Sequence, residues 1–230
     1  MAIGFKIHPR TRTVDPATVE KFKGIAVANI SDSMNRMSHG GARIRPLHAG
    51  GVLSGVALTV RVRPGDNLMI HAALNRAKPG DVLVVDGDGD LTNALMGELM
   101  ISHAQQIGLA GVVLNGAVRD YGWIRMNAFP VFAAGITHRG PYKNGPGEVN
   151  ATIALDGMVI EPGDLIVGDD DGVVCVPFDQ TETVFAAADK KQQGEAKTMA
   201  AIQAGTVDRS WVERALAEAG AVVSARDVPD

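Results

Sequence analysis

Glu98 and, after twenty intervening residues, the pair Arg119-Asp120 are the residues whose types and spacing best suit chemistry in this chain. The chemistry they fit is that of an anionic oxo-acid. An arginine can fork onto a carboxylate or keto oxygen. An aspartate is a hard oxygen ligand for Mg²⁺ or Mn²⁺, ions that keep several waters and need only one or two protein carboxylates. Glu98 could hold one of those waters. A helix starting at Gly97-Glu98-Leu99-Met100 would add free N–H groups able to hold a carboxylate. Each residue also has a plainer reading. Glu98 alone suits a first-turn acid that complements the helix dipole. Arg119-Asp120 alone suits a solvated helix start with Asp120 near the cap.

The elements that must position these residues are legible around them. Residues 81–85 form a compact apolar strand, and residues 99–107 a helix stopped by Gly108. Residues 111–114 form a buried strand, followed by a short helix over 119–126. Glu98 and Arg119-Asp120 therefore both follow the C-terminal ends of consecutive strands, where α/β sheets place ligand crevices. Gly97 and Gly116 would let backbone approach a ligand closely. Further out, Asp15 and Pro16 open a helix that runs to Lys23. A second helix is predicted from about residue 25 to 37, with Val27, Ile30, Met34 and Met37 on one face and His39-Gly40-Gly41 as its stop. Residues 55–63 alternate around Val56, Leu58, Val60 and Val62, the mark of a half-buried strand. A short helix over 67–75 and a strand over 130–134 follow the same logic, and from residue 148 to 176 the signals are strand and turn only. The tail, residues 181–204 and 210–219, is helical. This order is neither a simple Rossmann alternation nor a TIM barrel. It predicts one α/β domain over residues 1–230, a layered core over about 18–177, and helical arms at both ends that pack on the same chain or on a neighbour.

Composition sets the outer bounds. Of the 230 residues, 46% are hydrophobic and 21% charged, enough for a real core. A net charge of −4 argues against nucleic acid as the main partner. No apolar run approaches the roughly 20 residues of a spanning helix, and the first ten residues carry no secretory pattern. The single cysteine, Cys175, excludes a disulfide framework and a cysteine-based zinc cluster, and fits an intracellular, cytoplasmic protein. Asp86-Gly87-Asp88-Gly89-Asp90 has the acidic spacing of a calcium loop, but Leu91 and Gly97 stand where that loop needs Gly and Glu. Asp169-Asp170-Asp171-Gly172 suits an exposed turn better than a second acidic site. Lys143 could reach a substrate carboxylate or could be a solvated loop lysine. Neither Lys78 nor Lys143 suggests a Schiff base.

Beyond these residue-level readings, the chain resembles a known family. Glu98, twenty residues, then Arg119-Asp120 is similar to the acid–X20–Arg–Asp signature shared by class II 4-hydroxy-4-methyl-2-oxoglutarate and 4-carboxy-4-hydroxy-2-oxoadipate aldolases and the regulators of ribonuclease activity A (RraA-like). The flanks resemble it too: Pro64-Gly65-Asp66-Asn67, Pro79-Gly80-Asp81-Val82, Gly116-Ala117-Val118, Phe129-Pro130-Val131-Phe132, Pro162-Gly163-Asp164 and Asp171-Gly172-Val173-Val174. The resemblance implies a β/β/α swivelling-domain fold and a homotrimer or homohexamer with sites between subunits. It implies Asp120 on a divalent metal (Mg²⁺ or Mn²⁺), with Glu98 holding metal-bound or nearby water. Arg119 and the backbone of Gly97, Leu99 and Met100 would bind a pyruvate unit, so that Glu98 and Arg119 carry catalysis. The implied activity is retro-aldol cleavage of a 4-hydroxy-2-oxo acid to pyruvate, with oxaloacetate decarboxylation through the same enolate. The alternative is a non-catalytic regulator that docks on a ribonuclease or helicase. Both acids are kept here, which favours the enzyme.

Overall fold

The computed structural model describes residues 3–38 and 41–222. The chain opens with a short strand, β1 (Phe5–Ile7), and two helices, α1 (Pro16–Phe22) and α2 (Val27–Ser33). Then come β2 (Arg45–Pro46), β3 (Leu53–Val62), α3 (Leu68–Leu74), β4 (Asp81–Asp86), β5 (Ala94–Met96) and α4 (Glu98–Gln106). The middle continues with β6 (Gly111–Val118), α5 (Tyr121–Ile124), β7 (Val131–Ile136) and β8 (Gly147–Val149). Two hairpins close the β region: β9 (Ile153–Leu155) with β10 (Met158–Ile160), and β11 (Leu165–Asp169) with β12 (Gly172–Val176). The last helices are α6 (Thr181–Gln203) and α7 (Ser210–Glu218).

Ten strands form one sheet with the path β1-β8-β3-β4-β6-β7-β2; β11 and β12 join beside β3, and β5 beside β6. β3, β4, β6 and β7 run parallel at its centre. They are buried on both faces, which explains their unbroken apolar runs. Along β4 the alternation sorts side chains between layers. Leu83 and Val85 meet α3, α4 and α5 through Ile70, Ile101 and Ile124. Val82 and Val84 meet the β9–β10 hairpin through Ile153, Leu155, Met158 and Ile160. The result is a helix layer, a central sheet and a second β layer. β3 is buried along nearly its whole length rather than half-buried. Small Ala57 fills the second face, and Thr59 satisfies its hydroxyl on the Ala151 carbonyl at 2.6 Å.

The N-terminal helices pack on their own chain. Asp15 caps α1 by accepting from the Thr18 N–H at 3.0 Å. Phe22 and Ile30 are fully buried against β11, β12 and the start of α6, with the Phe22 and Phe185 rings 5.5 Å apart edge to face. α2 ends at Ser33, short of the predicted residue 37. Asn35 and Arg36 take left-handed φ values of 55° and 60°, which break the helix, and Met37 is exposed. The predicted stop at His39-Gly40 lies outside the described residues. Two compact units divide the chain, Met1–Lys191 and Gln192–Asp230. Within the second, the end of α6 and all of α7 are described, and α7 buries none of its residues. No helix among the described residues is long and apolar enough to cross a membrane.

Candidate active site

β6 is longer than the sequence suggests. It runs through Val118 and delivers Arg119-Asp120 directly at its C-terminal end. β5, unpredicted, lies parallel to that end and leads through Gly97 into α4. It is three residues long, too short for any periodicity to announce it. The Arg119 N–H donates to the Met96 carbonyl at 3.0 Å, stitching the two strand ends together.

Asp120 takes a left-handed φ of 60° at the start of α5, a conformation that aspartate tolerates better than most residues. Its carboxylate caps no part of α5. Oδ2 instead accepts from the Glu98 N–H at 3.0 Å and lies 3.6 Å from Arg119 Nε. Asp120 thus caps α4, the next helix over, whose own leading residue has no capping side chain. Gly97 makes this possible: a Cβ there would collide with Asp120 Oδ2 and stand 2.7 Å from Arg119 Cγ. Its lack of a side chain admits the site's own residues. Gly116 is buried, and a Cβ on it would stand 2.7 Å from Leu95 Cδ1, so its missing side chain seats β5 on β6.

Two adjoining cavities share Arg119. One, of about 200 Å³, is lined by Gly97, Leu99, Met100 and Arg119 together with Asn67, His71 and Lys143. The other, of about 310 Å³, is lined by Arg119, Asp120, Ile136, Thr137 and His138. The structure therefore brings together Gly97, Leu99, Met100, Arg119 and Asp120. Glu98 sits at the first turn of α4, is exposed and lines neither cavity. Among the α4 amides, Glu98 donates to Asp120 and Met100 to the Gly97 carbonyl at 3.1 Å. The Gly97 and Leu99 N–H groups have no such partner among the described residues.

His71 and Asn67 escaped the sequence reading. A lone histidine on a short helix carries no signal, and only the return of the 141–143 loop places it opposite Arg119. Burial, then the positive charges of Lys143 and His103, hold the His71 imidazole below its ordinary pKa. Lys143 lines the same cavity and is exposed, without the desolvation a Schiff-base lysine needs.

The donor set bears on a metal. No group of three or more His, Cys, Asp or Glu able to hold an ion occurs among the described residues. Asp120 Oδ1 carries no hydrogen bond among them, and its side chain is 42% exposed beside the second cavity. One carboxylate with a free oxygen and room for water fit a hydrated Mg²⁺ or Mn²⁺ and do not fit zinc.

The other motifs resolve as structure. Asp169 Oδ2 accepts from the Val27 N–H at 2.9 Å, capping α2, and Oδ1 accepts from Asp171 in the β11–β12 turn. Asp86 and Asp90 accept from N–H groups within their own loop. Cys175 is buried, and burial beside Asp164 raises its thiol pKa well above the ordinary value, so it is inert. A larger cavity, about 720 Å³, lies at the other end of the strands around Gly80, Asp81 and Pro130. The ligand end of a parallel sheet is the opposite one.

Known proteins carry the same architecture. The RraA-like family model (Aldolase/RraA) matches residues 27–175. A Halalkalibacterium halodurans protein named "Putative 4-hydroxy-4-methyl-2-oxoglutarate aldolase" is 38% identical over 197 residues, 85% of this chain and 94% of that one. Streptomyces coelicolor RraAS2, described as an unusual member of the RNase ES inhibitor RraA family, matches with a TM-score of 0.75 at 26% identity, over 83% of this chain and 99% of its own. The RNA-processing inhibitor RraA of Thermus thermophilis matches with a TM-score of 0.60 at 29% identity, over 66% of this chain and 92% of its own. With its sheet order, its Arg119-Asp120 strand end and these matches in agreement, the chain belongs to the RraA-like family of aldolases and RraA proteins.

Proposed function

We propose that this chain is a divalent-metal-dependent pyruvate aldolase. It cleaves a 4-hydroxy-2-oxo acid of the 4-hydroxy-4-methyl-2-oxoglutarate or 4-carboxy-4-hydroxy-2-oxoadipate type to pyruvate and a second oxo acid, and it decarboxylates oxaloacetate. The observation that carries this reading is Arg119 lining both cavities beside Asp120, with the Gly97 and Leu99 amides alongside. The name of the H. halodurans relative supports it.

Arg119 forks onto the 2-oxo acid end of the substrate, helped by the two amides. When the 4-hydroxyl loses its proton and the C3–C4 bond breaks, negative charge gathers on the oxygen of the pyruvate enolate. A fixed guanidinium at that end gains strength as the charge grows, which lowers the barrier. A divalent ion held by Asp120 would act as a Lewis acid on the 2-oxo group. Glu98, on the first turn of α4, orders water beside Asp120 for protonation of the enolate. Lys143 offers a cation to the substrate's second carboxylate. Oxaloacetate loses CO₂ to give the same enolate, so one site serves both reactions.

A non-catalytic regulator of ribonucleases is the second reading, favoured by the descriptions of RraAS2 and the Thermus protein. Retention of both Glu98 and Asp120 argues for the enzyme. Pyruvate release from 4-hydroxy-4-methyl-2-oxoglutarate and from oxaloacetate, followed with a lactate dehydrogenase couple, decides between them. Turnover of both supports the aldolase; no turnover of either, together with inhibition of a ribonuclease, supports the regulator.

A further inference from the structure

Asp66 is 1% exposed and lines neither cavity, yet three walls of the Arg119 cavity meet around it. Its Oδ2 accepts from the Asn144 and Gly145 N–H groups, each at 2.9 Å, and from Arg63 at 3.0 Å. Its Oδ1 accepts from the Leu68 N–H at 2.9 Å, in the first turn of α3. Backbone bonds reinforce the junction: Tyr142 donates to the Gly65 carbonyl at 2.8 Å and Asn67 to the Tyr142 carbonyl at 3.0 Å. The adjacent Asn67 reaches the third wall, its amide donating to the Leu95 carbonyl at 3.0 Å and to Met100 Sδ at 3.3 Å. One carboxylate therefore ties the helix that carries His71 to the loop that carries Pro141 and Lys143. Only an acceptor without protons suits this place. An amide there would turn N–H donors toward N–H donors.

We propose that Asp66 is a positioning residue: by fastening residues 142–145 to the start of α3, its carboxylate holds Lys143 on the rim of the Arg119 cavity as the cation that receives the substrate's second carboxylate. The last clause rests on the aldolase reading. The fastening itself is a matter of geometry and is tested without turnover.

His71 reports on Lys143 because the two line one cavity and the lysine's charge lowers the imidazole pKa, along with burial and His103. NMR titration of His71 in the full chain is the test, with Asp66→Asn, Lys143→Met and the double variant beside the unmodified protein. Lys143→Met should move the His71 titration up. Asp66→Asn should move it up as well, with circular dichroism unchanged, and the double variant should add nothing to Lys143→Met. An unmoved His71 in Asp66→Asn where Lys143→Met does move it would overturn the fastening, as would a double variant that shifts by the sum of the two. Hydrogen exchange in the unmodified protein guards against a variant that does not fold: the Asn144 and Gly145 amides should be protected, and exchange at open-loop rates would overturn the fastening outright. For the catalytic clause, Asp66→Asn should raise KM for 4-hydroxy-4-methyl-2-oxoglutarate more than it lowers kcat while leaving oxalate affinity unchanged. A loss confined to kcat would reject that clause and leave the fastening standing.

Discussion

Arg119 is the residue on which the proposed chemistry turns, because it lines both cavities beside Asp120. Removing a charge-assisted donor at such a place costs on the order of 10²–10³ in kcat. Lysine does not restore a planar two-pronged contact. Arg119→Ala and Arg119→Lys should therefore lose aldol cleavage and oxaloacetate decarboxylation together, as steady-state kinetics on both substrates would show; near-normal turnover in Arg119→Lys would reject the role. Glu98 lines neither cavity, so Glu98→Gln should lower turnover while weakening oxalate binding less than Arg119→Ala does, measured by calorimetry. Gly97→Ala tests how the site is packed. Its methyl group would push Asp120 and Arg119 apart, so oxalate affinity and turnover should fall together while the thermal unfolding temperature falls little. Full activity in Gly97→Ala would show that the approach of Asp120 to α4 is dispensable.

At the scale of elements, Asp120 caps α4 and, in the proposed mechanism, also holds the metal, two roles that substitution can separate. As the cap of α4 it satisfies the Glu98 N–H, and losing such a cap typically costs about 1 kcal/mol. Asp120→Ala should lower unfolding stability by roughly that amount, while Asp120→Asn, which keeps an oxygen acceptor, should lose less. Both should abolish turnover, because neither offers the metal a charged ligand. Equal stability of all three proteins in denaturant titrations would show that the cap contributes nothing. The same elements show what a sequence can and cannot reveal. The central strands and α4 are legible because Val82–Val85 and Gly111–Leu114 are buried on both faces and written as apolar runs. β5 and β8 are three residues each and owe their existence to their neighbours β6 and β3, a tertiary cause with no local trace. α2 reads too long because Met34 and Met37 continue the helical spacing past the left-handed turn at Asn35 and Arg36. In the site, Gly97, Arg119 and Asp120 are legible from type and spacing. Asn67, His71 and the position of Lys143 depend on a loop returning from more than seventy residues downstream, held by Asp66.

At the scale of the whole molecule, the layered core leaves Leu99, Tyr121 and Ile136 exposed around the strand end that carries Arg119-Asp120. We propose that copies of the chain associate as a trimer or a pair of trimers. Light scattering at working concentration should report three or six chains, and a monomer that turns over both substrates would contradict it. The claim that everything else depends on is that this strand end performs metal-assisted formation of a pyruvate enolate. The most direct measurement is pyruvate release from 4-hydroxy-4-methyl-2-oxoglutarate before EDTA, after EDTA, and after Mg²⁺ or Mn²⁺ is added back, with Asp120→Asn alongside. Loss in EDTA, recovery with the ion and no recovery in Asp120→Asn are the predicted results; full activity in EDTA, or ordinary turnover by Asp120→Asn, would contradict the account.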